Sequence, residues 1–209
     1  MRPKLAEPWL LLDLGRPHQV AGWPIVGPAW GMARRIAWLQ VRDADLPPDV
    51  DPESCFAERA RRDGIIADLG LMTAAEIARF SCEENGSVTA IVTAGLDNGE
   101  SVQPAAIDGP AVPWHAGTIN TVLHSAVPLT QAAMLEALSI VTEARTAALL
   151  DLSLTLTDGR ALTGTGTDCI VVAAPARPAA ERHCGLHTAL GRKIGETVYR
   201  AMKRAVTPP

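Results

Sequence analysis

The chain has 209 residues, of which 47% are hydrophobic and 20% are charged, a composition typical of a folded globular protein. We expect one domain over residues 1–209. The formal net charge is −4 and the Lys and Arg residues are scattered, which argues against a nucleic-acid partner. No apolar run is long enough to cross a bilayer and the N-terminus lacks the layout of a signal peptide, so we predict a cytoplasmic protein without a membrane partner.

The four cysteines are spread along the chain without a C-x-x-C pair. This distribution favours reduced thiols over a disulfide framework. The cysteines are Cys55, Cys82, Cys169 and Cys184.

The first half of the chain predicts short strands and one short helix. Pro52 stands where the first turn of a helix tolerates proline, and Gly64 follows the helix end. The dipeptide Asn85-Gly86 between two apolar runs is a strong signal for a β-hairpin. The predicted elements are strands at Trp9–Leu14 and Ile36–Val41 around a turn segment at Gly22–Gly31, a helix at Glu53–Arg62, and strands at Ile65–Leu71, Ile77–Cys82 and Val88–Thr93.

The second half predicts two long helices. Thr130 is placed to cap the first of them, and apolar residues recur every three or four positions along the second. Strands followed by helices favour an α+β fold in which two long helices cover one face of a mainly antiparallel sheet. The predicted elements are a lid or binding loop at Asp97–Ala116, a strand at Ile119–His124, a helix at Gln131–Leu150, a strand pair at Leu152–Thr157 and Ala161–Leu162, a strand at Cys169–Ala174 and a helix at Gly185–Val206.

The segment Leu162–Val172 reads LTGTGTDCIVV and concentrates glycine, threonine and aspartate just before an apolar strand. Glycines allow the backbone to approach a ligand closely, while hydroxyl and carboxylate oxygens supply contacts. The segment is not a phosphate-binding loop, because no Lys follows the glycines and a strand, not a helix, comes next. A ligand site and an ordinary turn leading into a core strand both fit this pattern.

His187 falls three residues before Leu190 and would extend the buried stripe of the last helix. A neutral imidazole at a helix N-terminus is able to accept a proton, although a core histidine fits the same pattern. His183, Cys184 and His187, with Cys169, could form a mixed zinc site. Their spacing matches no standard zinc framework, so structural roles are the alternative.

Polar residues elsewhere also suggest a site. Glu143 lies among apolar neighbours of the long helix, where a carboxylate needs a partner or a function, whereas Glu136 near the first turns fits a solvated charge. Asn98 and Asn120 stand at strand boundaries and could donate to an oxyanion or to ligand amides, or serve only in turns.

Five short motifs occur in a fixed order along the chain. They are TAGLDN at Thr93–Asn98, GTIN at Gly117–Asn120, TEAR at Thr142–Arg145, GTGTD at Gly164–Asp168 and GLHTALG at Gly185–Gly191. Each motif is short, but their order and spacing over residues 71–205 are specific. In this order they resemble the adenosylcobinamide amidohydrolase family of corrinoid salvage.

The resemblance implies hydrolysis of the amide that joins aminopropanol to the corrin ring of adenosylcobinamide, giving adenosylcobyric acid. The partner would be a corrinoid small molecule that carries its own cobalt, with no protein-bound metal or cofactor. Amide hydrolysis needs proton-transfer groups and oxyanion donors. We assign catalysis to His187, Asp168 and Glu143, and substrate contacts to Thr93, Asn98, Thr118, Asn120, Thr165 and Thr167.

Two other functions remain open at this point. A corrinoid-binding protein without hydrolytic activity would share the pocket, and a zinc-dependent amidase would act on a different substrate. The release of aminopropanol and the effect of chelation distinguish the three.

Overall fold

The structure, a computed structural model, describes residues 1–47, 49–104, 117–178 and 181–207. None of the helices in these ranges is long and apolar enough to span a membrane. In chain order the elements are β1 (Lys4–Ala6), β2 (Trp9–Gly22), β3 (Trp30–Gln40), α1 (Pro52–Arg62), β4 (Leu69–Thr73), β5 (Ser81–Asn85), β6 (Val88–Ala94), β7 (Gly99–Glu100), β8 (Ile119–Ser125), α2 (Gln131–Asp151), β9 (Gly164–Thr165), β10 (Cys169–Pro175) and α3 (Ala189–Val206).

A large sheet has the strand order β4-β3-β2-β10-β8-β6-β5, and β1 pairs with β2. Neighbouring strands are antiparallel except for the pairs β8/β10 and β3/β4, which are parallel. Strands β7 and β9 form a separate antiparallel ribbon. The prediction of an α+β fold with a mainly antiparallel sheet is confirmed.

Helices α2 and α3 lie side by side on one face of this sheet and run in the same direction. Glu136, near the start of α2, accepts a hydrogen bond from the backbone N–H of Cys184, just before α3. Asp151, at the end of α2, accepts from the side chains of Tyr199 and Lys203 near the end of α3. The small and apolar residues between the two helices and the sheet form one buried cluster. Burial of these side chains, more than intrinsic helix propensity, therefore stabilises α2 and α3.

On the other face of the sheet, residues from strands that are far apart in the strand order pack together. Leu10 and Trp38 from β2 and β3 share one core cluster with Ile91 and Val122 from β6 and β8. Helix α1 covers the outer side of the β2–β3–β4 end, where Phe56 packs in a further cluster. The two ends of the sheet therefore face each other, which brings β4 close to β8.

Several predicted boundaries change in the structure. Residues Ile77–Arg79 form a short 3-10 turn, and the predicted pair at residues 152–162 is reduced to one bridge between Thr155 and Ala161. Helix α3 begins at Ala189 and not at residue 185, because the Thr188 side chain accepts the N-cap hydrogen bond from Gly191. The predicted loop at 97–116 lies largely outside the described residues.

Candidate functional site

Five of the predicted site residues meet at one edge of the sheet. The parallel strands β8 and β10 both begin there, and the antiparallel strand β6 ends there. The β7–β9 ribbon brings Gly99 opposite Thr165 at the same edge. We call this group the sheet-edge site; it comprises Asn98, Thr118, Thr165, Thr167 and Asp168.

The carboxylate of Asp168 is the centre of the sheet-edge site. Its Oδ1 accepts hydrogen bonds from the Thr165 hydroxyl and from the Ile119 backbone N–H, the latter at 3.2 Å. Its Oδ2 accepts from Arg145 Nη1 at 2.5 Å and from the Thr165 backbone N–H at 3.0 Å. The Arg145 and Asp168 side chains are only 11% and 10% exposed, so this is a buried ion pair whose carboxylate is held in one orientation.

Two glycines make these close approaches possible. A Cβ on Gly164 would lie 2.7 Å from Asp168 Oδ2 and 3.2 Å from Arg145 Nη2, and would separate the ion pair. A Cβ on Gly117 would lie 2.5 Å from the backbone nitrogen of Asn98. Glycine is needed at both positions because another side chain has no room there.

The remaining polar groups form the outer part of the site. Thr167 donates its hydroxyl hydrogen to the Gly117 carbonyl at 3.1 Å, so Thr118 donates to Thr167 across 2.7 Å. The Asn98 backbone carbonyl accepts from Gly166 N–H at 3.1 Å. Within the described ranges the Asn98 side-chain amide has no hydrogen-bond partner.

Asn120 and Thr93 lie behind the site rather than in it. Asn120 is fully buried, and its Nδ2 donates to the Met72 carbonyl at 2.8 Å and to Thr93 Oγ1 at 3.3 Å. Both N–H groups of Asn120 thus join β8 to β4 and β6, so they are not free to donate to the scissile amide as the sequence suggested. Thr93 is 2% exposed and lies at the wall of a cleft of about 260 Å³.

His187 lies far from the sheet-edge site. It precedes the N-cap of α3, and its side chain is exposed, so it does not extend the buried stripe of the helix. Ala205, at the C-terminal end of α3, lines the same cleft as Thr93. The 18 residues of α3 span roughly 27 Å and separate His187 from that cleft, so the predicted pairing of His187 with Asp168 is wrong.

Glu143 is also separated from Asp168. Its side chain is exposed, accepts a hydrogen bond from Ser139 Oγ at 3.3 Å, and lines an outer groove between α2 and α3. Arg145, which binds Asp168, follows two positions later and therefore points about 200° around the helix. The predicted convergence of Glu143 and Asp168 on one pocket is wrong.

The mixed zinc cluster considered from the sequence is not assembled. Cys184 is buried beside α2, donates its thiol hydrogen to the Ala133 carbonyl at 2.8 Å, and has a pKa raised to about 12, mainly by burial. Cys169 belongs to the core cluster on the other face of the sheet. Across the described part of the chain, no group of three or more His, Cys, Asp and Glu residues is arranged to hold a metal.

Arg145 and Trp23 were not predicted as site residues. Arg145 lies four positions after Val141 and four before Leu149, both buried, so the sequence does place a cation on the core-facing stripe of α2. Such a cation needs an anionic partner. Trp23 has no comparable signal, since only the tertiary structure brings its Nε1 within 2.7 Å of the Asp168 carbonyl, to which it donates.

The sheet-edge site brings a hydroxyl, a carboxylate and an amide side chain together at one edge of an α+β sheet, and these are groups that a hydrolase of a small-molecule amide can use. Comparison with known proteins gives the family. Residues 2–208 match the model of the adenosylcobinamide amidohydrolases, and the chain belongs to that family.

Two curated relatives are similar to the chain. An adenosylcobinamide amidohydrolase of Methanosarcina mazei is 33% identical over 167 residues, which cover 75% of this chain and 74% of the relative. An uncharacterised protein of Methanocaldococcus jannaschii is 39% identical over 103 residues, which cover 48% of this chain and 38% of that protein. The family recognised from the five motifs is therefore confirmed.

Proposed function

We propose that the protein hydrolyses the amide between aminopropanol and the corrin ring of adenosylcobinamide, releasing aminopropanol and adenosylcobyric acid. The observation that carries the proposal is the hydrogen bond from the Thr165 hydroxyl to Asp168 Oδ1. This pair lies at the sheet edge beside the side-chain amide of Asn98, which has no hydrogen-bond partner among the described residues. It thus offers a hydroxyl, a proton acceptor and an oxyanion donor together.

In the proposed reaction the Thr165 oxygen attacks the amide carbonyl carbon while its proton passes to Asp168. The Asn98 amide donates to the oxygen that becomes negatively charged. Asp168 then gives the proton to the leaving nitrogen, and aminopropanol departs from a Thr165 ester. A water molecule attacks this ester, its proton passes through Asp168 to the Thr165 oxygen, and the free carboxylic acid leaves.

Arg145 and the Ile119 N–H have a positioning role in this reaction. They bind the oxygens of Asp168 from the protein side and keep Oδ1 directed at Thr165. In this proposal Thr118 and Thr167 hold amide groups of the corrin side chains. The cobalt arrives with the substrate, and the reaction as proposed uses no protein-bound metal or cofactor.

The test is incubation of the purified protein with adenosylcobinamide and mass-spectrometric detection of both products. Thr165→Val should lower turnover by about 100- to 10,000-fold, whereas Thr165→Ser should retain much of it. Thr207→Val is a matched control because Thr207 is exposed beyond the end of α3. Near-normal turnover of Thr165→Val would exclude the hydroxyl as nucleophile.

Two further outcomes bear on the function itself. Corrinoid binding without release of aminopropanol would refute hydrolysis and identify a non-catalytic corrinoid-binding protein. Turnover should survive thorough chelation, and loss of activity that Zn²⁺ restores would instead favour a zinc-dependent amidase.

A further inference from the structure

Trp23 presents an exposed aromatic surface next to the sheet-edge site. Its side chain is 46% exposed, although it is among the largest apolar groups of the chain. The indole Nε1 donates to the Asp168 carbonyl at 2.7 Å, and the Trp23 backbone N–H donates to the Ile170 carbonyl at 3.1 Å. Both bonds attach Trp23 to the start of β10, so the ring is held at the residue whose carboxylate binds Thr165.

A second exposed apolar side chain lies close to the start of β9. Val102 is 88% exposed, and its backbone N–H donates to Thr163 Oγ1 at 2.9 Å, just before β9. Two exposed apolar side chains, Trp23 and Val102, are thus attached by hydrogen bonds to Asp168 and to Thr163, two residues before Thr165. Small-molecule sites typically combine a few placed polar groups with such apolar and aromatic surroundings.

We propose that the indole of Trp23 is the platform on which the flat corrin macrocycle rests while one of its side-chain amides reaches Thr165. This inference rests on the proposed function, because it takes the corrinoid as the ligand. A broad conjugated ring with apolar edges is the type of group that stacks on an aromatic face. The two hydrogen bonds of Trp23 hold the platform in place before binding, which lowers the entropic cost of ordering it.

The test compares Trp23→Ala with Trp23→Phe. Trp23→Ala removes the platform and should raise KM and the dissociation constant for cobinamide by about 3- to 10-fold, with kcat changed less than about twofold. Trp23→Phe keeps an aromatic face but cannot donate to Asp168, and should restore most of the affinity. If the hydrogen bond to Asp168 were the only role of Trp23, Phe would fail as Ala does and kcat would fall.

Trp30→Ala is the matched control, because Trp30 is 38% exposed and its indole has no hydrogen-bond partner within the described residues. It should bind cobinamide like the wild type. Melting temperatures of all variants verify that the fold is intact, and equilibrium dialysis with cobinamide measures affinity separately from turnover.

The outcomes separate this inference from the proposed function. Wild-type hydrolysis with unchanged KM in Trp23→Ala would overturn the platform alone. Wild-type binding without hydrolysis would overturn the proposed function, while weaker binding by Trp23→Ala would still support the platform. No binding of cobinamide by the wild type would overturn both.

Discussion

The buried pair between Arg145 and Asp168 should make a large contribution to stability, and Arg145→Met tests it. Removing one partner of a buried ion pair typically costs about 3–5 kcal/mol, because the other charge is left uncompensated. Asp168 would retain donors from Ile119 and Thr165, so we expect Arg145→Met to cost about 3 kcal/mol. Asp168→Ala should cost about 5 kcal/mol, because Arg145 Nε already has no partner and the guanidinium would lose its only carboxylate among the described residues.

Urea unfolding followed by circular dichroism measures these free energies of unfolding. For a chain of this size, losses of about 3–5 kcal/mol correspond to a fall of roughly 6–20 °C in Tm. Arg145→Lys keeps a cation on the same helix face and should cost less than Arg145→Met. Arg34→Met is a control for an exposed pair, since Arg34 and Asp13 are 42% and 50% exposed, and its effect should be small.

A double-mutant cycle decides whether the pair acts as a unit. The effects of Arg145→Met and Asp168→Ala should sum to at least about 2 kcal/mol more than the cost of the double variant. Additive effects, within about 0.5 kcal/mol, would refute the assigned coupling. A loss below about 1 kcal/mol for Arg145→Met would show that the guanidinium is not needed to hold the carboxylate.

Three further predictions concern other parts of the molecule. Burial lowers the pKa of His124 to about 4 from an ordinary 6.5, so its contribution to stability is complete above pH 6.5 and is lost as the pH falls towards 4. His124→Asn should therefore make the free energy of unfolding less sensitive to acid between about pH 7.5 and about pH 5, by at most about 2 kcal/mol. His187→Ala should leave turnover per folded molecule and Tm close to wild type, because the side chain is exposed at the far end of α3. Gly191→Ala should cost about 1–3 kcal/mol in a thermal or urea unfolding experiment, because the new Cβ would overlap the backbone carbonyl groups of residues 184–185.

Each of these three predictions has a control variant or an outcome that would contradict it. An equally acid-sensitive His124→Asn variant would assign the acid sensitivity to other groups. A 100-fold loss of turnover in a stable His187→Ala variant would return to His187 the acid–base role expected from the sequence and would place chemistry at the opposite end of α3. Gly195→Ala is the control for Gly191, since its Cβ would meet its nearest neighbours at 3.5 Å, an ordinary contact distance, and it should be tolerated.

Local patterns in the sequence were sufficient for the elements with a strong short-range signal. The hairpin at Asn85-Gly86 forms as predicted, with Gly86 at a φ of +62°, because only a few residues favour that conformation. The α2 N-cap at Thr130 forms for the same kind of reason, since a side-chain oxygen satisfies a backbone N–H three residues away.

The element boundaries that were predicted incorrectly depend on competition between local and distant contacts. The GLHT stretch continues the helical spacing of α3, but Thr188 caps the helix and residues 184–187 remain outside it. The spacing of apolar residues alone does not indicate at which residue a helix begins or ends. The periodicity therefore predicts a buried face for His187, whereas its side chain is exposed.

The sequence by itself placed threonine, glycine and aspartate at the start of β10, and an arginine on the buried stripe of α2. Only the tertiary structure decided that Arg145 and Asp168 meet and that Trp23 borders the same edge. It also decided that the N–H groups of Asn120 form hydrogen bonds inside the core and that Glu143 faces an outer groove. The physical reason is that side-chain spacing sets which face of an element is apolar, whereas strand order and helix packing set which elements lie against that face.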